Sequence, residues 1–525
     1  MNNLILTLIS TMCILFSLQY TYASENNNIT SQTVFDIAIL NGRVIDPETM
    51  LDDIKNVGIT DGKIVSVTNK TISGKEVIDA TGLVVSPGFI DTHFHAIDPF
   101  GTKLGILDGV TTGGDLETGA LDVDKFYRDK ENRSKMNYMT TVGHGFARLK
   151  VLDNTTSQDI RTAFEAVGLI AAKNQSHWST KISTPKELDT ILAILDKGLR
   201  EGAVGIGSPV GYMTEGVNAR EMFEVQKLAG EYDRITSIHT RFLLSPPPTE
   251  FVLGGQEVIA NALALNAPLI FAHMNNDAWD LSAELLKLAR ERGLNAWGEY
   301  YPYSTASTFI GADFLDPVNL HKAGRNASII FDPSTGHRYT EQELIDARKN
   351  DPGRTIVFDA RPSEWVLEWI KSPGLTVASD AMIGINKNQT LLNEDSPFEE
   401  FSGHPRTAGT HGKVLKLARD NGIPLMHVIN QMSYLPAKYL GKTGLEAMDE
   451  RGRIQEGKIA DITIFDPKTV TDHSTYIDGD NGLPTTGIPY VIVNGEFVVK
   501  DSNFIHDSNP GQPIRFPVTI NDNNT

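Results

Sequence analysis

The sequence predicts an α/β fold: a (β/α)8 TIM-type barrel with a small β-sandwich domain built from both chain ends. Three observations predict it. Between about residues 86 and 445, apolar strand-like runs alternate with helical segments such as "TPKELDTILAILDKGLREG" and "GQEVIANALALN". That alternation is the pattern of a parallel sheet with crossover helices. Eight such runs occur, ending near "DTHFH", "TTGGDLE", "TTVGHG", "GAVGIGS", "TSIHT", "LIFAHM", "NAWGEYYPY" and "LTVASD", the number a barrel requires. Both chain ends read differently, as short alternating strands around Gly turns.

The elements follow in order. Residues 1–24 hold an apolar run, "LILTLISTMCILFSL", then "TYAS", in which Thr21 and Ala23 are small enough for cleavage after Ala23. This is the pattern of a signal peptide and predicts a secreted or periplasmic protein. An uncleaved anchor is the alternative, because the amino end "MNN" carries no Lys or Arg. No later stretch reaches the ~18 apolar residues of a membrane span. The one cysteine, Cys13, lies in this segment, so the mature chain has no thiol for a disulfide, a nucleophile or a metal.

Residues 25–85 and 446–510 form the β-sandwich domain. Its runs "DIAILNGRVID", "NVGITDGKIVSVTN", "GRIQEGKIADITIFDP" and "IPYVIVNGEFVVKD" are broken by Asn-Gly, Asp-Gly and other Gly pairs, which signal hairpins. Residues 86–445 form the barrel. About 304–374 is too long for an ordinary connection and carries its own helix and turn signals, so it reads as an inserted subdomain or lid beside the site.

The chain has 525 residues, ordinary globular composition and a net charge of −19. Phosphate backbones would be repelled by that charge, which argues against a nucleic-acid partner and reads as a solvated acidic surface; the partner expected from the motifs below is a small-molecule amide substrate.

Reactive groups of a barrel sit at the carboxyl ends of its strands. "PGFIDTHFH" ends strand one with His93 and His95. Two residues apart on a strand, they face the same way. Glu117 ends strand two, His144 strand three, His239 strand five, His273 strand six and Asp380 strand eight. Imidazoles and carboxylates converging at one barrel mouth are suitable ligands for Zn²⁺, in one or two ions.

These motifs resemble the amidohydrolase superfamily and, within it, the D-aminoacylase (N-acyl-D-amino-acid deacylase) branch. "VVSPGFIDTHFH" is similar to the superfamily's first-strand motif. "GHGFAR", "GAVGIGSPVGY", "EYYPYSTAST", "HPRTAGTHGKVL", "LPAKYLG", "GRIQEGKIADITIFDP" and "VNGEFV" extend the likeness over residues 36–500. The resemblance implies that His93 and His95 hold one metal, that His239 and His273 hold a second, and that Asp380 contacts metal and acts as general base, then acid. It implies attack of a metal-bound hydroxide on an amide carbonyl. Tyr301 and Arg406 are the implied substrate-side groups, and His144 and Arg148 either touch substrate or support the residues that do. Tyr301 would donate to the oxyanion, and Arg406 would pair bidentately with a carboxylate.

Two positions depart from the branch. Its bridging cysteine after strand two is absent, and Glu117 stands near that place, so a carboxylate is expected to bridge. Its Lys two residues after the strand-six histidine is replaced by Asn275, a further substrate-binding candidate. The preferred reading is a metal-dependent hydrolase deacylating N-acyl-(D-)amino acids. Two alternatives stay open: a cyclic amidase or dipeptidase, dihydroorotase- or hydantoinase-like, and a metal-free binding protein on the same fold.

Overall fold

The computed structural model describes residues 34–155, 177–242 and 250–519. The proposed signal peptide lies outside them. Eight parallel strands make the central sheet, in the order of the chain: β1 (Phe89–Asp91), β2 (Val110–Ala120), β3 (Asn137–Gly143), β4 (Gly205–Ser208), β5 (Ile235–Ile238), β6 (Leu269–Phe271), β7 (Ala296–Tyr300) and β8 (Leu375–Val377). Each of the eight runs predicted from sequence supplies one strand. The ring nearly closes between β8 and β1. There Phe94 bridges Ala381 in parallel, and the His95 amide donates to the Ala381 carbonyl at 3.0 Å.

The strands are apolar because both faces are covered. Ile90, Leu116, Met139, Ile235, Ile270 and Trp297 come from six of the strands and share one core cluster with Leu440 and Met448. Trp297 stacks on Tyr439 with ring centroids 4.8 Å apart. Outside, amphipathic helices pack on the sheet. That at Pro185–Arg200 starts with a complete capping box, Thr184 with Glu187, and buries Ile191, Leu195 and Leu199.

The predicted sandwich takes the form of one nine-stranded sheet shared by the two chain ends. Its seam pairs Val84–Pro87 with Ile462–Phe465, antiparallel. Ile39, Val57, Ile64, Ile462 and Ile492 fill its core. Two of the Gly pairs are hairpin turns. Asp61-Gly62 and Asn494-Gly495 both have positive φ at both residues (49°, 73° and 47°, 81°), the conformation a tight hairpin needs. Asn41-Gly42 is different. It lies inside the strand Val34–Asp46 as a bulge, where the register to the next strand shifts between Ile39 and Gly42.

Between β7 and β8 the chain leaves the barrel to form a three-stranded antiparallel sheet, with Thr355–Asp359 central between Thr305–Phe309 and Ile330–Phe331. This insert has its own core, including Ile310, Leu315, Leu320, Leu344 and Ile356. It stands over the carboxyl ends of the barrel strands.

Candidate metal centre

Strand geometry delivers the first donors. His93 and His95 leave β1 on one face, and their Nε2 atoms meet 3.0 Å apart. Each ring is held from behind by a carboxylate: His93 Nδ1 lies 2.6 Å from Glu299 Oε1, and His95 Nδ1 lies 3.0 Å from Asp115 Oδ2. Those contacts turn both Nε2 atoms toward the centre. Glu299 is itself fixed, accepting from Thr92 Oγ1 at 2.7 Å.

Glu117 completes the centre from β2, beside a register shift that lies between Asp115 and Ala120. Its Oε2 lies 2.7 Å from His93 Nε2 and 3.2 Å from His95 Nε2. Its Oε1 faces the other way, 2.8 Å from His239 Nδ1 and 3.6 Å from His273 Nε2. Asp380 Oδ1 approaches His93 and His95 Nε2 at 3.4 and 3.5 Å. Two donor groups result, His93–His95–Glu117–Asp380 and Glu117–His239–His273, each with ligand atoms within 4.8 Å of one another. Glu117 belongs to both.

The backbone is bent to make this possible. His273 and Asp380 have φ of +28° and +52°, a left-handed conformation that side chains other than glycine adopt at a cost. Gly211 gives close approach: a Cβ there would fall 2.3 Å from His239 Cδ2.

The electrostatics follow from burial and charge together. Burial disfavours charge on His93, yet Asp380, Glu117 and Glu299 raise its pKa well above the imidazole range. His95 is raised likewise against burial, chiefly by Asp115. Glu117 is held well below the carboxylate range despite burial, by His93, His239 and His273. The donor set fits a cation. Zn–N bonds of about 2.0–2.1 Å in a tetrahedron separate two nitrogens by about 3.4 Å, close to the observed imidazole spacing. Four imidazoles with two ionised carboxylates offer donors suited to one or two divalent ions, and the two carboxylates balance the charge of one.

The other predicted residues divide. Tyr301 and Asn275 line the cavity of about 370 Å³ that opens on the donors. Asn275 spends its amide on the backbone of Tyr301, donating to the carbonyl at 2.9 Å and accepting from the N–H at 3.3 Å. It therefore sets Tyr301. Arg406 does not offer the bidentate fork expected for a substrate carboxylate. Nη2 pairs with Asp380 Oδ2 at 2.9 Å, and Nε donates to the Asp380 carbonyl at 2.6 Å. Its guanidinium lies 4.8 Å from the Tyr301 ring centroid. His144 and Arg148 do not reach the cavity wall. The ring of His144 sits between Ser208 Oγ and Glu221 Oε1, each at 2.9 Å. Arg148 donates to Glu221 and to the carbonyls of Trp178, Lys181 and Gly216. Both residues are committed to a buried network behind the site.

Sequence reasoning missed Asp115 and Glu299, the carboxylates that aim the first two histidines. Asp115 carried a usable signal, since it precedes Glu117 by two on a strand and shares its face. Glu299 carried none beyond an acid inside an aromatic run, and only the partner 206 residues away explains it.

No family model matches the chain. A dihydroorotase of Streptococcus pneumoniae serotype 4 is 25% identical over 486 residues, covering 87% of this chain and 95% of its own. A D-aminoacylase of Alcaligenes xylosoxydans xylosoxydans is 24% identical over 509 residues, covering 90% and 96%. The solved structure of N-acyl-D-glutamate deacylase from Bordetella bronchiseptica, complexed with zinc and a phosphonate inhibitor, superimposes with a TM-score of 0.73 at 22% identity, covering 92% of this chain and 100% of that one.

Proposed function

We propose that this chain, which belongs to the amidohydrolase superfamily and to its D-aminoacylase branch, is a metal-dependent amidohydrolase that deacylates N-acyl amino acids, the D-series foremost. The observation that carries this reading is the shared carboxylate: Glu117 turns one oxygen to each of two histidine pairs. The relatives support the substrate class, being named D-aminoacylase and N-acyl-D-glutamate deacylase.

In this reading His93, His95, Glu117, His239, His273 and Asp380 hold one or two Zn²⁺ ions. When bound, zinc supplies Lewis acidity toward water and toward the amide carbonyl. The chain supplies the rest. Asp380 accepts a proton at Oδ1 from the attacking water and passes it to the leaving nitrogen. Arg406 holds the other oxygen of that carboxylate and so fixes its direction. Tyr301, in the cavity wall beside Arg406, donates to the oxygen that becomes negative. The insert covers the mouth and limits water to the reacting molecule.

Purified protein analysed for metal and assayed against both enantiomers of N-acyl amino acids, with dihydroorotate and hydantoins alongside, tests the reading. Bound zinc and faster hydrolysis of the linear amides are expected. Preference for the cyclic amides would favour the second reading, which the dihydroorotase relative supports. Protein that neither carries nor takes up metal would be a binding protein on this fold.

Export is part of the proposal and rests on residues 4–23 alone. Amino-terminal sequencing of the mature protein is expected to start at Ser24; a start at Met1 would refute cleavage. Among the described residues no helix is long and apolar enough to cross a membrane.

A further inference from the structure

We propose that His404 is a positioning residue for the hydrolysis: through one ring nitrogen it fixes the turn that carries Arg406, and through the other it ties that turn to the insert. The proposal rests on the reading above, in which Asp380 is the base that Arg406 aims, and deepens it.

Arg406 opens the helix Arg406–Asp420, and the body of that helix does not set its direction. Gly409 leaves the helical path, with φ of −143° and ψ of 22°, so the first turn is separated from the turns behind it. A side chain at this break has no room, because a Cβ there would fall 2.8 Å from Ser474 Oγ and 2.9 Å from Asp472 Cβ. The direction of the first turn is therefore left to its cap. That cap is His404, whose Nδ1 accepts from the Arg406 backbone N–H at 3.0 Å, an amide that a helix start leaves without a partner in the helix. Ser474 adds a second hold, donating from Oγ to the Pro405 carbonyl at 2.9 Å.

The hydrogen bonds fix the tautomer of the ring. A backbone N–H only donates, so Nδ1 carries no proton and Nε2 carries it. Nε2 then donates to Thr305 Oγ1 at 2.8 Å. Thr305 begins the insert strand Thr305–Phe309. Its hydroxyl also pairs with Tyr476 Oη, which comes from the chain between two strands of the sheet shared by the chain ends. Burial and the nearby Arg406 cation hold the pKa of His404 well below the imidazole range, in keeping with a neutral ring. Tyr303 and Tyr476 stand edge-on to this buried ring with centroids 5.1 and 5.4 Å away, and Tyr301 does so at 6.4 Å. The ring is thus held in one orientation, and it joins the insert to the residue that grips Asp380.

Two substitutions separate the two nitrogens. Asn places an acceptor where Nδ1 lies, and Gln places a donor where Nε2 lies. On the zinc-loaded protein kcat and KM are measured for the N-acyl amino acid hydrolysed fastest, or for a cyclic amide if no linear one is hydrolysed. His404→Gln is expected to lower kcat by about tenfold or more, with a smaller change in KM. His404→Asn is expected to recover most of that loss. Thr305→Val, which removes the hydroxyl and keeps the shape, is expected to lower kcat by about threefold. A double-mutant cycle decides the role. In an Arg406→Gln background, His404→Gln and Thr305→Val are each expected to change kcat by less than about twofold, because their effect runs through Arg406. Zinc content and circular dichroism confirm the site and the fold of each variant, and Thr305→Val carries the cycle if His404→Gln does not fold. Unchanged kcat, a change in KM alone, equal losses for Gln and Asn, or an undiminished loss in the Arg406→Gln background would overturn the positioning role and leave the deacylase reading intact. The expected cycle with cyclic amides alone overturns the deacylase reading and keeps the role of His404. No hydrolysis of any amide overturns both.

Discussion

Arg406 grips Asp380 twice, with Nη2 on the carboxylate at 2.9 Å and Nε on the backbone carbonyl at 2.6 Å. The residue that sequence comparison suggests for substrate is thus the one that aims the proposed general base. Asp380 is held in a left-handed conformation, and the second contact ties that strained peptide in place. Arg406→Gln is expected to lower kcat by about 10²-fold or more, the scale on which positioned acid–base groups act, with a smaller change in KM. Steady-state kinetics check it. A large KM change at constant kcat would return Arg406 to a substrate-binding role.

Glu117 offers one oxygen to each donor group. Glu117→Gln keeps the shape and removes the one negative charge that faces both donor groups. Metal per chain, measured by elemental analysis after dialysis, is expected to fall by about one equivalent, with activity reduced. Unchanged stoichiometry would mean that one metal suffices and that Glu117 serves it alone.

Glu299 never meets the cavity, yet it fixes His93 through a contact of 2.6 Å. Removing such an outer partner typically costs about 10–100-fold in metal affinity or activity. Glu299→Gln is expected to lose zinc to a chelator at that correspondingly lower chelator concentration. The circular dichroism spectrum should stay the same.

The buried network behind the site predicts a pH dependence of stability. Against the cost of burial, His144 and Arg148 hold Glu221 down to about 2, from its ordinary 4.5. A carboxyl whose folded pKa is depressed contributes stability that is complete above about pH 4.5 and is lost as pH falls through about 2. Glu221→Gln leaves Arg148 buried without its counter-charge and is expected to cost about 3–5 kcal/mol at neutral pH. The gap between wild type and variant should then narrow steadily from pH 4.5 toward pH 2. Urea unfolding across that range measures it. A gap independent of pH would mean that the ion pair contributes nothing specific.

Much of the architecture was legible because its signals are local. Eight apolar runs, separated by helical periodicity, are read a few residues at a time, and each became a barrel strand. His93 and His95 were legible for the same reason, as a period of two places both on one face. Asn41-Gly42 shows the limit even of local rules, since the pair that marks a turn also marks a bulge when strands continue on both sides.

By itself, then, the sequence determined the barrel, the positions at strand ends and the types of side chain there, because backbone periodicity depends on neighbours in the chain. Only the tertiary structure decided which partner each polar atom takes. Glu299 behind His93, Glu221 between His144 and Arg148, Arg406 on Asp380, and the insert's Phe309 and Phe314 against Tyr212 are pairings between distant stretches. A buried charge must find its counterpart in space, and closure of the ring, rather than any spacing along the chain, sets which one is within reach.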